Sequence, residues 1–194
     1  MDSFNDNPGA TIGASNFNHI FNFGDTDLKL DIWDTAGQEV YRSLNRIFYK
    51  DAQIAILAYD ITNENSFKNI SSIWLPQVKE CVDPSAIIVI CGNKCDRYNE
   101  EQVKEEEAKK YAENIGASFI QTSAPRGTGI KEMFSQAGKQ YLALLGVGCQ
   151  EDDNKGKVNV LLIYSLIIYY LIYTIAFLKI IFKYGLAAKI CHGR

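Results

Sequence analysis

Hydrophobic and polar positions divide the chain into three regimes. The opening stretch, MDSFNDNPGATIGASN, is polar and turn-rich, with the period of neither a strand nor a helix, and reads as a loop. Apolar positions then begin at Phe17, Ile20 and Phe21, turn over at Gly24-Asp25 and resume as Leu28, Leu30 and Ile32. This pattern predicts an antiparallel hairpin whose second strand ends at Trp33 and Asp34.

The middle regime switches between two periods. QIAILAYD (53–60) and AIIVICGN (86–93) are nearly continuous apolar runs, and SFIQTS (118–123) is a shorter strand-like one. Continuous runs belong to strands covered on both faces, as in a parallel sheet. Helical stretches are expected at 64–79, 101–114 and 129–145, and Glu39 opens a further helical run. The stretch EEQVKEEEAKKYAE carries Glu-to-Lys pairs four apart, which support a helix. Strands alternating with helices define the α/β class. In such sheets ligands sit outside the carboxyl ends of the strands, so the loops after Trp33, Asp60, Gly92 and Thr122 are the places to look for a site.

The third regime begins at 146–157, GVGCQEDDNKGK, a polar linker. Val158 to Leu178 then runs 21 residues without a charge. As a helix it would span about 31 Å, at about 1.5 Å per residue, against a bilayer core of about 30 Å. It is a candidate transmembrane helix, although four of its tyrosines (Tyr164, Tyr169, Tyr170, Tyr173) sit inside the run rather than at its rims. Residues 179–194 form a basic tail with Lys179, Lys183, Lys189 and Arg194. A positive-inside count would put that tail in the cytosol. With no signal peptide and a long polar domain first, insertion from the carboxyl end is expected, leaving the domain in the cytosol as well.

Composition narrows the partners. The net charge of -3 and pI near 5.4 leave no Lys/Arg stripe for phosphate backbones, which argues against nucleic acid as a partner. Five cysteines form no paired framework, and Cys91 and Cys95 lack a second Cys or His pair to complete a zinc site. Reduced thiols in the cytosol are expected.

Three short motifs stand at predicted strand ends. In DTAG (34–37) an acidic residue is followed three positions later by a glycine whose backbone N–H can approach an anion closely. Taken alone, the pattern fits an ordinary turn equally well. Gln38 comes directly after it, placed to orient a water. In NKCD (93–96) the Asp96 carboxylate can accept from both N1–H and the 2-amino group of guanine, an edge that adenine does not offer. In TSAPRGTG (122–129) the Ala124 backbone N–H is a donor for the guanine O6.

Together and in this order, the motifs carry a resemblance. Residues 11–144 resemble small GTPases of the Ras superfamily, and WDTAGQEVYRSL with AILAYDITNENSF looks like the Rab branch. TIGAS at 11–15 fits switch I of that branch, nearest in wording to early-endosomal members. The resemblance implies a P-loop-NTPase-like G domain that binds GTP/GDP with Mg2+ and works as a switch in vesicle-mediated transport. Its place would be the cytosolic face of an endomembrane, with partners that engage switch I and switch II. By residue, it implies that Thr11 binds Mg2+ and senses the γ-phosphate. Asp34 would hold the ion through water, and the Gly37 N–H would meet the γ-phosphate. Gln38 would place the attacking water, while Asn93, Lys94, Asp96, Ser123 and Ala124 would hold the guanine. Hydrolysis would then rest mostly on positioning and charge stabilisation, and loss of the γ-phosphate would release the loops of Thr11 and Gly37.

The sequence departs from the family pattern at four places. Pro125 replaces the usual Lys of SAK, removing a side chain that covers the base. Asn16 stands where many Rab proteins place an aromatic. The end CHGR does not favour prenylation, since His192 and Gly193 are not aliphatic and Arg194 is not a usual last residue. Most consequentially, no G-x-x-x-x-G-K-[ST] occurs in the 194 residues, so the β-phosphate cradle, its Lys and the loop Ser/Thr on Mg2+ are missing from this sequence.

The family's first strand, expected between the strands at 28–33 and 53–59, is missing with that loop, as is the first helix. Losing about five buried side chains at about 1.5–3 kcal/mol each is comparable with the whole stability of a domain, about 5–15 kcal/mol. The expectation is therefore an N-terminally truncated version of a longer protein: an incomplete G domain at 1–145, a linker and an anchor. A genuine short isoform and a degenerate copy are the alternatives, and the run after 158 also fits read-through of non-coding sequence. The second functional reading is a membrane-anchored interaction module that keeps the switch surface and binds no nucleotide.

Overall fold

The computed structural model describes residues 14–24, 26–35, 49–50 and 52–146. Thr11, Gly37, Gln38, the helical run after Glu39, the linker after 146, the candidate membrane span at 158–178 and the basic tail lie outside the described residues.

The hairpin forms where the alternation placed it. Strands β1 (Ala14–Phe23) and β2 (Thr26–Thr35) pair antiparallel, with Phe21 opposite Leu28 and Phe23 opposite Thr26. Gly24 makes the reversal at φ 63°, a backbone region in which a Cβ is strained. Leu28, Leu30 and Ile32 point into the core at 0%, 0% and 4% exposure. The apolar positions of β1 fare differently: Phe23 is buried and Phe21 half-buried, whereas Phe17 and Ile20 stay exposed. β2 also runs one residue beyond Asp34, to Thr35.

The parallel sheet consists of β3 (Ile54–Asp60), β4 (Ile87–Asn93) and β5 (Ser118–Thr122), in that order. Every residue of β3 and β4 is buried, as their continuous apolar runs require. β4 is central, paired in parallel with β3 and with β5. Among the described residues no ladder joins β2 to β3, and no described strand fills the place where the resemblance puts its first strand.

Helical segments alternate with these strands, with two revisions to the predicted boundaries. The stretch predicted as one helix at 64–79 is α1 (Glu64–Asn69), a π turn at Ile70–Trp74 and α2 (Leu75–Lys79). Pro76 supplies the cause: it has no N–H, and its ring would clash with the carbonyl four residues back. The wider turn absorbs this, with Leu75 N–H donating to the Ile70 carbonyl. The helix predicted at 101–114 starts later, as α3 (Glu105–Asn114). The residues before it serve another purpose, for Gln102 and Val103 both donate to the Ile61 carbonyl, at 2.8 and 3.2 Å. Within α3 the expected pairing appears as Lys109 to Glu105 at 2.6 Å.

The last helix, α4 (Ile130–Leu144), lies against the hairpin and against β4. Gly138 makes this approach possible: a Cβ there would stand 2.4 Å from Leu28 Cδ2 and 3.1 Å from the Phe23 ring. Phe21 and Phe134 meet with ring centroids 5.8 Å apart. No helix among the described residues is long and apolar enough to cross a membrane.

Candidate functional site

The ends of the three parallel strands set the site. Register places Asp60, Asn93 and Thr122 side by side across β3, β4 and β5. All three are buried. The Thr122 hydroxyl donates to Asn93 Oδ1 at 3.3 Å and lies 3.2 Å from Cys91 Sγ. The Asn93 carbonyl accepts from Ile61 N–H at 3.0 Å, which ties the two strand exits together. A row of polar side chains inside a dry sheet end must satisfy itself in this way, because an unpaired buried polar group costs about 1–3 kcal/mol.

Beyond Asn93 the chain turns sharply. Lys94 takes φ 67° and ψ 34°, the one non-glycine residue with positive φ among the described residues. A 3-10 turn, Cys95–Glu100, comes next, and Arg97 N–H bonds back to the Lys94 carbonyl at 2.8 Å. Lys94 is 8% exposed, with its Nζ 2.5 Å from Asp60 Oδ2. Burial lowers its pKa from the ordinary lysine value, while the hydrogen bond and charge of Asp60 oppose that drop.

Asp96 meets the third strand's loop. The buried Ser123 hydroxyl donates to Asp96 Oδ1 at 2.6 Å, and Arg126 N–H reaches the same hydroxyl at 3.4 Å. Ser123 N–H bonds the Thr128 carbonyl at 3.0 Å and Gly127 N–H bonds the Ala124 carbonyl at 3.2 Å, which closes the loop into a compact turn. Gly129, at φ 74°, ends it where a Cβ would lie 2.1 Å from the Gln121 carbonyl oxygen. The structure therefore brings together all five residues predicted for the base: Asn93, Lys94, Asp96, Ser123 and Ala124.

These residues fit a guanine. A carboxylate has about four acceptor sites, and Ser123 takes one, leaving acceptors for N1–H and the 2-amino group. Of the residues predicted on the phosphate side, Asp34 is next to last in β2, opposite Ser15. Its companions Thr11, Gly37 and Gln38 lie outside the described residues, and no His, Cys, Asp or Glu cluster able to hold a metal occurs among those described. Sequence reasoning missed Asp60 and Thr122. The available signal was a carboxylate closing an otherwise apolar strand, since a buried charge needs a partner.

A parallel sheet whose strand ends present NKCD and TSA loops defines an α/β domain of the G-domain kind, and comparison with known proteins agrees on the family. The Ras family model matches residues 1–143, and the chain belongs to the Ras family. Its relatives within the family carry Rab names. Rab-31 of Mus musculus is 37% identical over 159 residues, covering 82% of this chain and 80% of that protein. Rab-22A of Canis lupus familiaris is 37% identical over 139 residues, 72% of this chain and 71% of that protein. RabJ of Dictyostelium discoideum is 39% identical over 133 residues, and the match spans 69% of this chain and 52% of that protein. Within that family it belongs to the Rab branch of the small GTPases.

Proposed function

We propose that this chain recognises guanine nucleotide and serves as a Rab-type switch in vesicle-mediated transport at the cytosolic face of an endomembrane. The observation that carries the reading is the base loop: Asp96 held by Ser123 at 2.6 Å beside a buried Asn93 and Lys94. Asp96 selects guanine over adenine through two acceptor contacts. Thr11 and Asp34 would hold Mg2+, which supplies charge neutralisation at the phosphates when bound. Gly37 would sense the γ-phosphate and Gln38 would orient the attacking water, completing a GTPase. These four roles rest on the resemblance of their motifs.

The second reading makes the chain a membrane-anchored interaction module with the Rab switch surface and no bound nucleotide, and it rests on the same resemblance of the switch motifs. Nucleotide content of the purified full chain separates the two. Stoichiometric GDP or GTP on a folded protein supports the switch, and a folded protein free of guanine nucleotide, unresponsive to added GDP, supports the module. Deleting 158–178 tests the anchor, since the protein should then leave the membrane fraction. An upstream in-frame strand followed by G-x-x-x-x-G-K-[ST] in the genome would support truncation.

A further inference from the structure

We propose that Asp60 is a positioning residue for the base loop: from the end of β3 its carboxylate fixes Lys94, and through Lys94 it sets where Asp96 stands. The inference rests on Asp96 as the guanine-selecting carboxylate. Asp60 itself is 2% exposed and has no access to a ligand.

Its carboxylate and its backbone are each held. Oδ1 accepts from the Thr62 N–H at 2.9 Å and from the Thr62 hydroxyl at 2.7 Å. The Asp60 backbone N–H donates to Ser66 Oγ at 3.0 Å, and that hydroxyl lies 2.7 Å from the Asn63 carbonyl. The two bonds from Thr62 orient the Asp60 carboxylate, and Oδ2 lies 2.5 Å from Lys94 Nζ.

The backbone of Lys94 gives a second, independent observation. A lysine gains nothing from the left-handed region and holds it only when its surroundings over-determine it. Here the ammonium is tied to Asp60 on one side, and Asn93 is locked by Thr122 on the other. The left-handed turn is what sends the chain into Cys95–Glu100 and brings Asp96 to Ser123. Asp60 thus acts at a distance from the base, through a buried charge pair whose disruption leaves a charge without a partner.

Three variants of the full chain test this: Asp60→Asn, Lys94→Met and the double. Asp60→Asn keeps an acceptor for Thr62 and removes the charge. Two readouts are taken. In nucleotide-free protein, hydrogen exchange of the Arg97 amide should quicken about tenfold in each single variant and no further in the double, with α3 unaffected. With nucleotide, the affinity ratio of GDP to inosine diphosphate, which lacks the 2-amino group, should fall in each single variant and no further in the double. General destabilisation would weaken both ligands alike and leave that ratio intact. The proposal is overturned by Arg97 exchange within twofold of wild type, by an unchanged ratio, or by single effects that multiply in the double. If Asp60→Asn fails to fold, Lys94→Met is judged alone by the same two limits. A wild-type chain that binds no GDP defeats the guanine reading, and the exchange measurement still decides the positioning role.

Discussion

The base side and the hairpin side of this domain are built on opposite principles. The base loop leaves β4, a strand with a parallel neighbour on each side and no exposed residue. Asp34 stands on β2, in a two-stranded sheet whose β1 leaves Phe17 at 45% and Ile20 at 46% exposure. A central strand fixes the direction of the loop that leaves it, because its backbone is bonded on both edges and its side chains are packed on both faces. A two-stranded sheet has far less to hold it, and depends on the elements that pack against it. Among the described residues α4 packs against it, through Gly138 and Phe134. The proposed site therefore has one half whose geometry is built into the sheet and another whose geometry relies on neighbouring segments.

The largest expected effect lies in the base half. Asp96→Ala leaves guanine N1–H and the 2-amino group without acceptors in a site shaped to receive them. Affinity for GDP should fall about a thousandfold or more, on the order expected when a site built for hydrogen bonds loses them. Titration calorimetry on the folded variant measures it. A loss under tenfold would place guanine recognition elsewhere and erase the contrast between the two halves.

Core truncation sharpens the contrast next. Ile56 lies in the middle of β3 at 1% exposure, and Ile56→Ala should cost about 2–5 kcal/mol. Phe17→Ala on β1 removes a larger side chain, yet about half of it is already in water, and the cost should stay within about 0.5 kcal/mol. Urea unfolding of both variants gives the comparison. Equal costs would mean that the hairpin is packed as tightly as the parallel sheet.

The same contrast explains how much of the molecule was legible in the sequence. All five strands and the α/β class were legible, most directly β3 and β4, whose continuous apolar runs follow from two-faced burial, and β2, whose alternating Leu28, Leu30 and Ile32 follow from one-faced burial. NKCD and TSA were legible because each motif is local, and the strand register then brought them together. Asp60 was not, since its role depends on a partner 34 positions later in the chain, as does that of Thr122 on the distant Asn93. The delayed start of α3 was hidden for a related reason. Glu101, Gln102 and Lys104 have good helical propensity, but two backbone bonds to Ile61 outweigh it. Phe17 and Ile20 misled in the opposite sense, as apolar residues need not be buried.

A smaller effect is expected at the loop that carries Ser123. Gly129 sits at φ 74°, and a Cβ would meet a backbone oxygen rather than a movable side chain. Gly129→Ala should therefore cost about 1–3 kcal/mol in thermal unfolding. Gly116, also at positive φ but with open space around it, should cost less when changed to Ala, about 1 kcal/mol. The ordering of the two variants is the test, and its reversal would mean that the turn after Ser123 can relax.

The smallest predicted effect is a dependence on alkaline pH, and its strongest source, Tyr59, lies on the parallel-sheet side. Burial raises the pKa of Tyr59, Tyr111 and Tyr141, whereas β1 and β2 contain no tyrosine. In the unfolded chain each phenol ionises near the usual value of about 10. In the folded chain each keeps its proton to higher pH, so the native state binds more protons and stability falls as pH rises past about 10. Lys94 works in the other direction. Its folded pKa is lowered, so the unfolded state binds the extra proton, and stability rises with pH between that lowered value and about 10.4. The two contributions are separable by mutation. Tyr59→Phe removes a buried hydroxyl that has no hydrogen-bond partner among the described residues, so stability at neutral pH should hold or improve while the decline above about pH 10 becomes shallower. Lys94→Met should abolish the gain below about pH 10 and leave the decline above it. Melting temperatures from about pH 8 to about pH 11 distinguish these outcomes. A decline that Tyr59→Phe leaves untouched would mean that this phenol ionises as readily in the folded protein as in the unfolded chain, against the close packing assigned to the β3–β4 interior.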